Sequence, residues 1–161
     1  MAATGKSGER LDVYITHVKV HRDLGQVNFW AQLDPVGAED LEELDLLIQE
    51  KAEADPHPPE PKSLLVGEPC LANFIEDSRW YRARVEQCTE NDVIAYFMDY
   101  GNTEIIPFNL IRRADSTVFA SLRAQATECI LEGVKVGDKP GILPYLKKLL
   151  ADQSFIGKKF I

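Results

Sequence analysis

Apolar and polar positions alternate in short runs along most of this chain, interrupted twice by a helical pattern and once by a run of prolines. Residues 11–20 are rich in β-branched side chains and predict a strand. Residues 22–26, with Gly25, predict a turn, after which Val27, Phe29, Ala31 and Leu33 alternate as the buried row of a second strand. The two strands are expected to pair as a hairpin. Trp30 falls on the opposite face from that row and needs cover, which the C-terminal segment is expected to give. A helix is predicted near 37–53. Asp34 is placed to cap it, Pro35 lies in its first turn, and Glu39, Asp40, Glu42 and Glu43 sit near its positive end. Leu41, Leu44, Leu47 and Ile48 form its apolar stripe, so this acidic helix reads as a structural strut. The prolines at 56, 58, 59 and 61 end it, because they exclude both helix and central strand.

A short-strand pattern follows over 64–113. Strands are predicted at 65–74, 80–87, 93–100 and 103–107, separated by Glu-Asp-Ser, Glu-Asn-Asp and Gly-Asn turns, with a helical turn at 108–112 closing the set. That spacing suggests a small, strongly bent barrel. Beyond it, 125–132 predicts a strand, 140–151 an amphipathic helix with Ile142, Leu143, Leu146, Leu149 and Leu150 on its apolar side, and 155–161 a last strand. The fold class is therefore α+β, mainly β. The expected organisation is a disordered N-terminus (1–10), a first β segment (11–33), a linker helix with a proline-rich turn (34–63), the barrel (64–113) and a second α/β segment (114–161).

Composition narrows the chemistry. The chain has 161 residues with 45% apolar and 27% charged side chains, ordinary for a globular protein with one core or two small lobes. It has no apolar run long enough to span a bilayer and no apolar stretch near residue 1 that reads as a secretory signal. Cys70, Cys88 and Cys129 are scattered and match no metal or redox spacing, so they read as buried thiols in a reducing compartment. The net charge of −8 argues against general nucleic-acid binding, which draws on Lys and Arg at phosphates, and suits a basic ligand such as an arginine-rich peptide.

The aromatic residues carry the chemistry. Phe97 and Tyr100 flank the end of one strand, in the run that leads into Asp99-Tyr100-Gly101-Asn102, and Phe74, Trp80 and Tyr81 form a cluster upstream. Ring faces together with the Asn102 amide are the parts of a box around a soft cation, with one polar group to orient it. Each ring also has a core reading. Alternation puts Trp80 opposite Tyr81 and assigns it to the core, and Tyr96 likewise, with Ile94 and Met98. Phe97 shares its face with Ala95 and Val93, a less apolar row, and is expected to be exposed.

The block Gly67-Glu68-Pro69-Cys70-Leu71-Ala72-Asn73-Phe74, then Glu76-Asp77, Trp80-Tyr81-Arg82-Ala83-Arg84-Val85 and Asp99-Tyr100-Gly101-Asn102-Thr103-Glu104, resembles the Tudor domain. Within that superfamily it is similar to the extended Tudor type of germline proteins, in which a Tudor barrel is inserted in a staphylococcal-nuclease-like, OB-type fold. The resemblance implies that 11–33 and 114–161 build the nuclease-like lobe, joined to the barrel by the long helix. The family's lobe usually continues past a segment like 155–161, which implies a lobe cut short or a fragment of a longer protein. The implied activity is recognition of methylated arginine, commonly symmetric dimethylarginine, in Arg-Gly or Arg-Ala-rich tails of Piwi-class Argonautes. That is a scaffolding role in small-RNA silencing of transposons, in the cytoplasm at perinuclear germ granules. Position by position, the implied cage is Phe74, Tyr81, Phe97 and Tyr100, with Asn102 as the orienting amide; Glu76, Asp99 and Glu104 are possible contacts for the peptide flanks.

A dimethylguanidinium is flat, always charged and poor in N–H donors, so ring walls and a neutral amide suit it better than a carboxylate. Other readings remain open: a methyl-lysine reader, whose cage more often includes a carboxylate; RNA contact through the OB-type lobe; or a protein partner of another kind. Catalysis is not expected. Arg22, Asp23 and Glu128 form no nuclease set, the histidines at 17, 21 and 57 are scattered, and no cysteine has a nearby histidine partner in the sequence. No cofactor or metal is implied.

Overall fold

The density of β-branched and aromatic residues at the start of the chain produces an antiparallel pair, β1 (Val13–His21) and β2 (Gln26–Leu33), joined through the short 3-10 turn Arg22–Leu24 and Gly25. Gly25 takes a φ of +58°, a conformation that costs glycine nothing. The computed structural model describes residues 13–33 and 38–131, together with residues 144, 145 and 148. A bulge between Ile15 and His17 shifts the β1–β2 register, and Thr16 there donates its hydroxyl to Trp30 O at 3.2 Å. The other edge of β2 is covered by β8 (Ala126–Ile130), giving the sheet order β1-β2-β8. Val27 and Ala31 are buried on one face, and Asn28 and Trp30 on the other. The His17 ring lies 5.2 Å from Trp30, and Asn28 is held by Glu128 Oε1 at 2.7 Å. The C-terminal cover expected for Trp30 lies outside the described residues. So do the Asp34 cap, Pro35, the strand at 155–161 and most of the helix at 140–151, of which residues 144, 145 and 148 are helical.

This three-stranded sheet belongs to one unit of the chain, and residues 36–124 form the other. In the second unit α1 (Ala38–Ala54) stops just before the prolines begin. Leu44, Ile48 and Ala52 recur every fourth residue and bury one stripe against Leu71 and Val118, with Leu47, Trp80, Phe119 and Leu122 packed around them. Val118 lies on α2 (Ser116–Ser121), whose N-terminus is capped by the Asp115 carboxylate on Thr117 N at 2.9 Å.

Five strands make the barrel: β3 (Pro69–Phe74), β4 (Arg79–Cys88), β5 (Asp92–Phe97), β6 (Thr103–Pro107) and β7 (Ile111–Arg113), in the order β6-β5-β4-β3-β7. A bulge in β4 between Val85 and Gln87 bends the sheet, and the 3-10 turn Phe108–Leu110 carries the chain from β6 to β7. The predicted helical turn at 108–112 is thus shorter, because Ile111 and Arg112 pair with Ala72 and Leu71 of β3. The predicted strand at 65–74 likewise loses its first residues. Leu65 and Val66 are exposed in a turn, where Gly67 takes a φ of +87°.

Alternation sorts β3, β4 and β5 into two apolar faces. Cys70, Ala72, Ala83, Val85, Val93, Ala95 and Phe97 point inward and meet Ile106, Phe108 and Ile111 in the barrel core. Leu71 and Trp80 point outward to the helices. The inward residues are mostly small, which suits the narrow interior of a five-stranded barrel.

Candidate functional site

The ring cluster grows from the open end of that inward face. β3 ends at Phe74, and a turn over 75–78 returns the chain to β4. Ser78 N donates to Phe74 O at 2.8 Å, Asn73 Nδ2 donates to Ser78 O at 3.1 Å, and Ser78 takes a φ of +58°. The register then sets Tyr81 opposite Ala72 and Ala83 opposite Phe97, so that Phe74, Tyr81 and Phe97 share one face of neighbouring strands. The second turn, 98–100, folds tightly over the end of β5. Tyr100 N and Gly101 N both donate to Phe97 O, at 3.2 and 2.7 Å, and Phe97 N donates to Asn102 O at 2.9 Å. Gly101 takes a φ of +91°, which an L side chain adopts only under strain. The turn swings the Tyr100 ring over Tyr81.

The result is a cluster of rings packed edge to face. Tyr81 lies 5.3 Å from Tyr100, 6.1 Å from Phe97 and 6.4 Å from Phe74, and Phe74 lies 5.7 Å from Phe97. The interplanar angles of these pairs run from 75° to 83°. Phe97 is 1% exposed and forms the floor, Phe74 and Tyr81 are half-buried walls, and Tyr100 is 40% exposed at the rim. The Tyr81 hydroxyl donates to Asp77 Oδ2 at 2.6 Å. Burial, and after it this hydrogen bond, push the phenol's pKa well above its ordinary value, so Tyr81 remains a neutral donor. Asn102 stands half-buried beside the turn, its Nδ2 donating to Glu104 Oε1 at 3.0 Å, so its carbonyl oxygen is the end directed away from Glu104.

Three side chains differ from expectation. Phe97 is buried rather than exposed, because the Val93–Ala95–Phe97 row is the barrel's core face. Tyr96 is correspondingly not core: it is half-buried on the outer face, with the Arg84 guanidinium 4.9 Å from its ring centroid. Trp80 lies outside the barrel core, half-buried against the α1–α2 cluster with Arg112 4.5 Å from its ring. Its backbone is bracketed by Gln49, which donates to Trp80 O at 2.8 Å and accepts from Trp80 N at 3.0 Å.

Asp99, a possible flank contact from the sequence, is turned inward. It is 6% exposed and locked in a bidentate pair with Arg82, Nε to Oδ2 at 2.9 Å and Nη2 to Oδ1 at 2.7 Å. The same guanidinium donates to the carbonyls of Val118, Leu122 and Arg123, and so neutralises the negative end of α2. Arg82 therefore fastens the ring-bearing turn to the helical layer. Sequence reasoning passed over it, although an arginine two residues from Trp80 on the same strand was the available signal. Asp77 was passed over too, lying in a turn whose outward carboxylates look alike. Glu76 is exposed in that turn. Among the described residues, no three His, Cys, Asp or Glu side chains are placed to hold a metal, and no helix is long and apolar enough to cross a membrane.

Comparison with known proteins places this geometry. The family model described as "Tudor domain" matches residues 6–133. Human Tudor domain-containing protein 6 is 33% identical over 134 residues, covering 81% of this chain and 6% of that protein. A Xenopus laevis Tudor domain-containing 6-like protein is 30% identical over 112 residues, covering 69% of this chain and again 6% of the relative. The chain thus spans a small fraction of these relatives' length. The extended Tudor domain of human TDRD1, solved with a symmetrically dimethylated peptide, superposes with a TM-score of 0.73 at 27% identity, over 92% of this chain and 73% of that one. The extended Tudor domain of BmPAPI, solved with sDMA, gives a TM-score of 0.76 at 25% identity, over 90% of this chain and 76% of that one. This chain belongs to the Tudor domain family, and its architecture is that of the extended Tudor type.

Proposed function

We propose that the enclosure of Phe74, Tyr81, Phe97 and Tyr100, with Asn102 beside it, reads a symmetrically dimethylated arginine in an Arg-Gly or Arg-Ala-rich peptide. The observation that carries this reading is the packing of Phe74, Phe97 and Tyr100 edge-to-face around Tyr81 on a buried floor, with an open rim at Tyr100. Each ring face a cation meets contributes roughly 0.5–2 kcal/mol, and each buried methyl adds about 0.8 kcal/mol. The Asn102 carbonyl accepts an N–H of the guanidinium and sets its plane, a bond that a trimethylated ammonium cannot offer. The human TDRD1 and BmPAPI domains, which carry methylated ligands on the same fold, support the reading. In this role the chain is a binding module and not an enzyme. Its partner is the tail of a Piwi-class Argonaute, and its setting is small-RNA silencing in the germline cytoplasm.

The test is calorimetry with one Arg-Gly peptide in three forms: symmetrically dimethylated, unmodified, and with trimethyl-lysine in place of the arginine. The dimethylated form binds tightest, and Tyr100→Ala abolishes the preference. Equal affinity for all three, or an undiminished preference in the variant, refutes the reading.

A further inference from the structure

Tyr81 meets all three other rings, and its position is fixed from outside the enclosure. Asp77, which accepts the hydrogen bond from its hydroxyl, lies in the turn that carries Phe74 at one end and leads to Tyr81 at the other. The carboxylate is anchored before it reaches the phenol. Its Oδ1 accepts from Arg79 N at 3.0 Å, while Oδ2 takes the Tyr81 hydroxyl at 2.6 Å. The Arg79 guanidinium pairs across with Asp45, on α1.

We propose that Asp77 is a positioning residue of the enclosure: it locks the Tyr81 ring edge-on to its neighbours and enriches the ring face that the ligand cation meets. The inference rests on the methylarginine reading and adds to it a residue outside the rings. Two physical effects support it. A charge-assisted O–H···O⁻ bond is roughly twice as strong as a neutral one, enough to hold a half-buried ring in one orientation. Drawing the phenol proton toward a carboxylate also leaves more electron density on the ring, and cation–π attraction grows with that density. Burial, and after it this hydrogen bond, raise the Tyr81 pKa, so the phenol keeps the proton it donates to Asp77.

A double-mutant cycle read by calorimetry with the symmetrically dimethylated Arg-Gly peptide tests the proposal. Tyr81→Phe removes only the hydroxyl and weakens binding about five- to tenfold, the cost of a charge-assisted hydrogen bond. Asp77→Ala weakens it by a similar factor in the wild type but not in the Tyr81→Phe background. Asp77→Asn, which keeps an acceptor for Arg79 N, falls between. An Asp77→Ala loss that persists undiminished in the Tyr81→Phe background, or no loss at all, overturns the proposal. The ligand-free protein gives an independent reading: the Tyr81 hydroxyl proton shows a slowly exchanging NMR resonance that Asp77→Ala removes. If the wild type ignores the peptide, the methylarginine reading fails. The resonance then decides the lock by itself, and its absence, or its survival in Asp77→Ala, overturns that too.

Discussion

Arg82 and Asp99 meet as a bidentate ion pair, at 2.9 and 2.7 Å, with the guanidinium only 1% exposed. Every arm of that guanidinium is used, and one residue beyond Asp99 is the rim ring Tyr100. The pair joins the turn at one end of the barrel to the last carbonyls of α2.

Removing one partner strands a buried charge. Asp99→Ala therefore costs about 3–5 kcal/mol of stability, and Arg82→Met a comparable amount. The double variant costs less than the sum of the two. Urea denaturation of the three proteins measures this. Additive losses would show that the two side chains act independently.

Phe97 and Tyr100 belong to the same enclosure but differ in what they hold up. Phe97→Ala opens a cavity in the barrel core and costs about 3–5 kcal/mol. Tyr100→Ala, at an exposed rim, costs about 1 kcal/mol or less while removing a wall of the site. Thermal unfolding and peptide titration of both variants separate the two roles. A Tyr100→Ala protein as unstable as Phe97→Ala contradicts the floor-and-rim arrangement.

At Gly101 the φ of +91° makes any L residue strained. Gly101→Ala is expected to lose about 1–3 kcal/mol. It also weakens peptide binding, because Asn102 follows directly and its backbone carbonyl is hydrogen-bonded to Phe97 N. Unfolding in denaturant and calorimetry on the same sample check both effects. Unchanged stability would mean that the turn relaxes to another conformation.

Burial, with smaller contributions from Cys88 and Glu68, pushes the Cys70 thiol up from 9.0 to about 12. The folded state therefore keeps this proton while the unfolded chain gives it up. Stability from this group is complete below pH 9 and is lost as pH rises from 9 toward 12, at up to about 1.4 kcal/mol per pH unit. Comparing wild type with Cys70→Ala by urea denaturation across that range isolates the thiol's share, and the variant shows the shallower decline. In native protein at pH 8 the same thiol is expected to react with a disulfide reagent only as fast as the protein opens.

Much of the barrel was legible because turn residues and β-rich runs alternate at short spacing, and the rings of the enclosure follow from where strands end. The face assignments of β5 were not. Alternation divides Val93, Ala95 and Phe97 from Ile94 and Tyr96, but it carries no label for inside. Val93 and Ala95 suit the narrow interior and Phe97 closes its end, while Arg84 packs over Tyr96 on the outer face. Trp80 was misplaced for a related reason. β3 and β4 have a second apolar face under α1 and α2, and a strand buried on both sides offers no polar row to read against. The partners of Arg82 were not legible because its four acceptor groups come from residues 99, 118, 122 and 123, separations that no local pattern registers.

Phe97 closes the barrel core on one side and floors the enclosure on the other, so the two are a single stack of side chains, with Ile106 and Val85 deeper and Tyr100 outermost. On the methylarginine reading, a guest lodged against Phe97 acts as a removable last layer of the hydrophobic interior. Its arrival is a small further step of folding: it buries apolar surface, lowers heat capacity and raises the melting temperature as its concentration climbs past its dissociation constant. On the methylarginine reading, methylation of the guest works as a core substitution made on another molecule, each added methyl burying apolar surface against the rings.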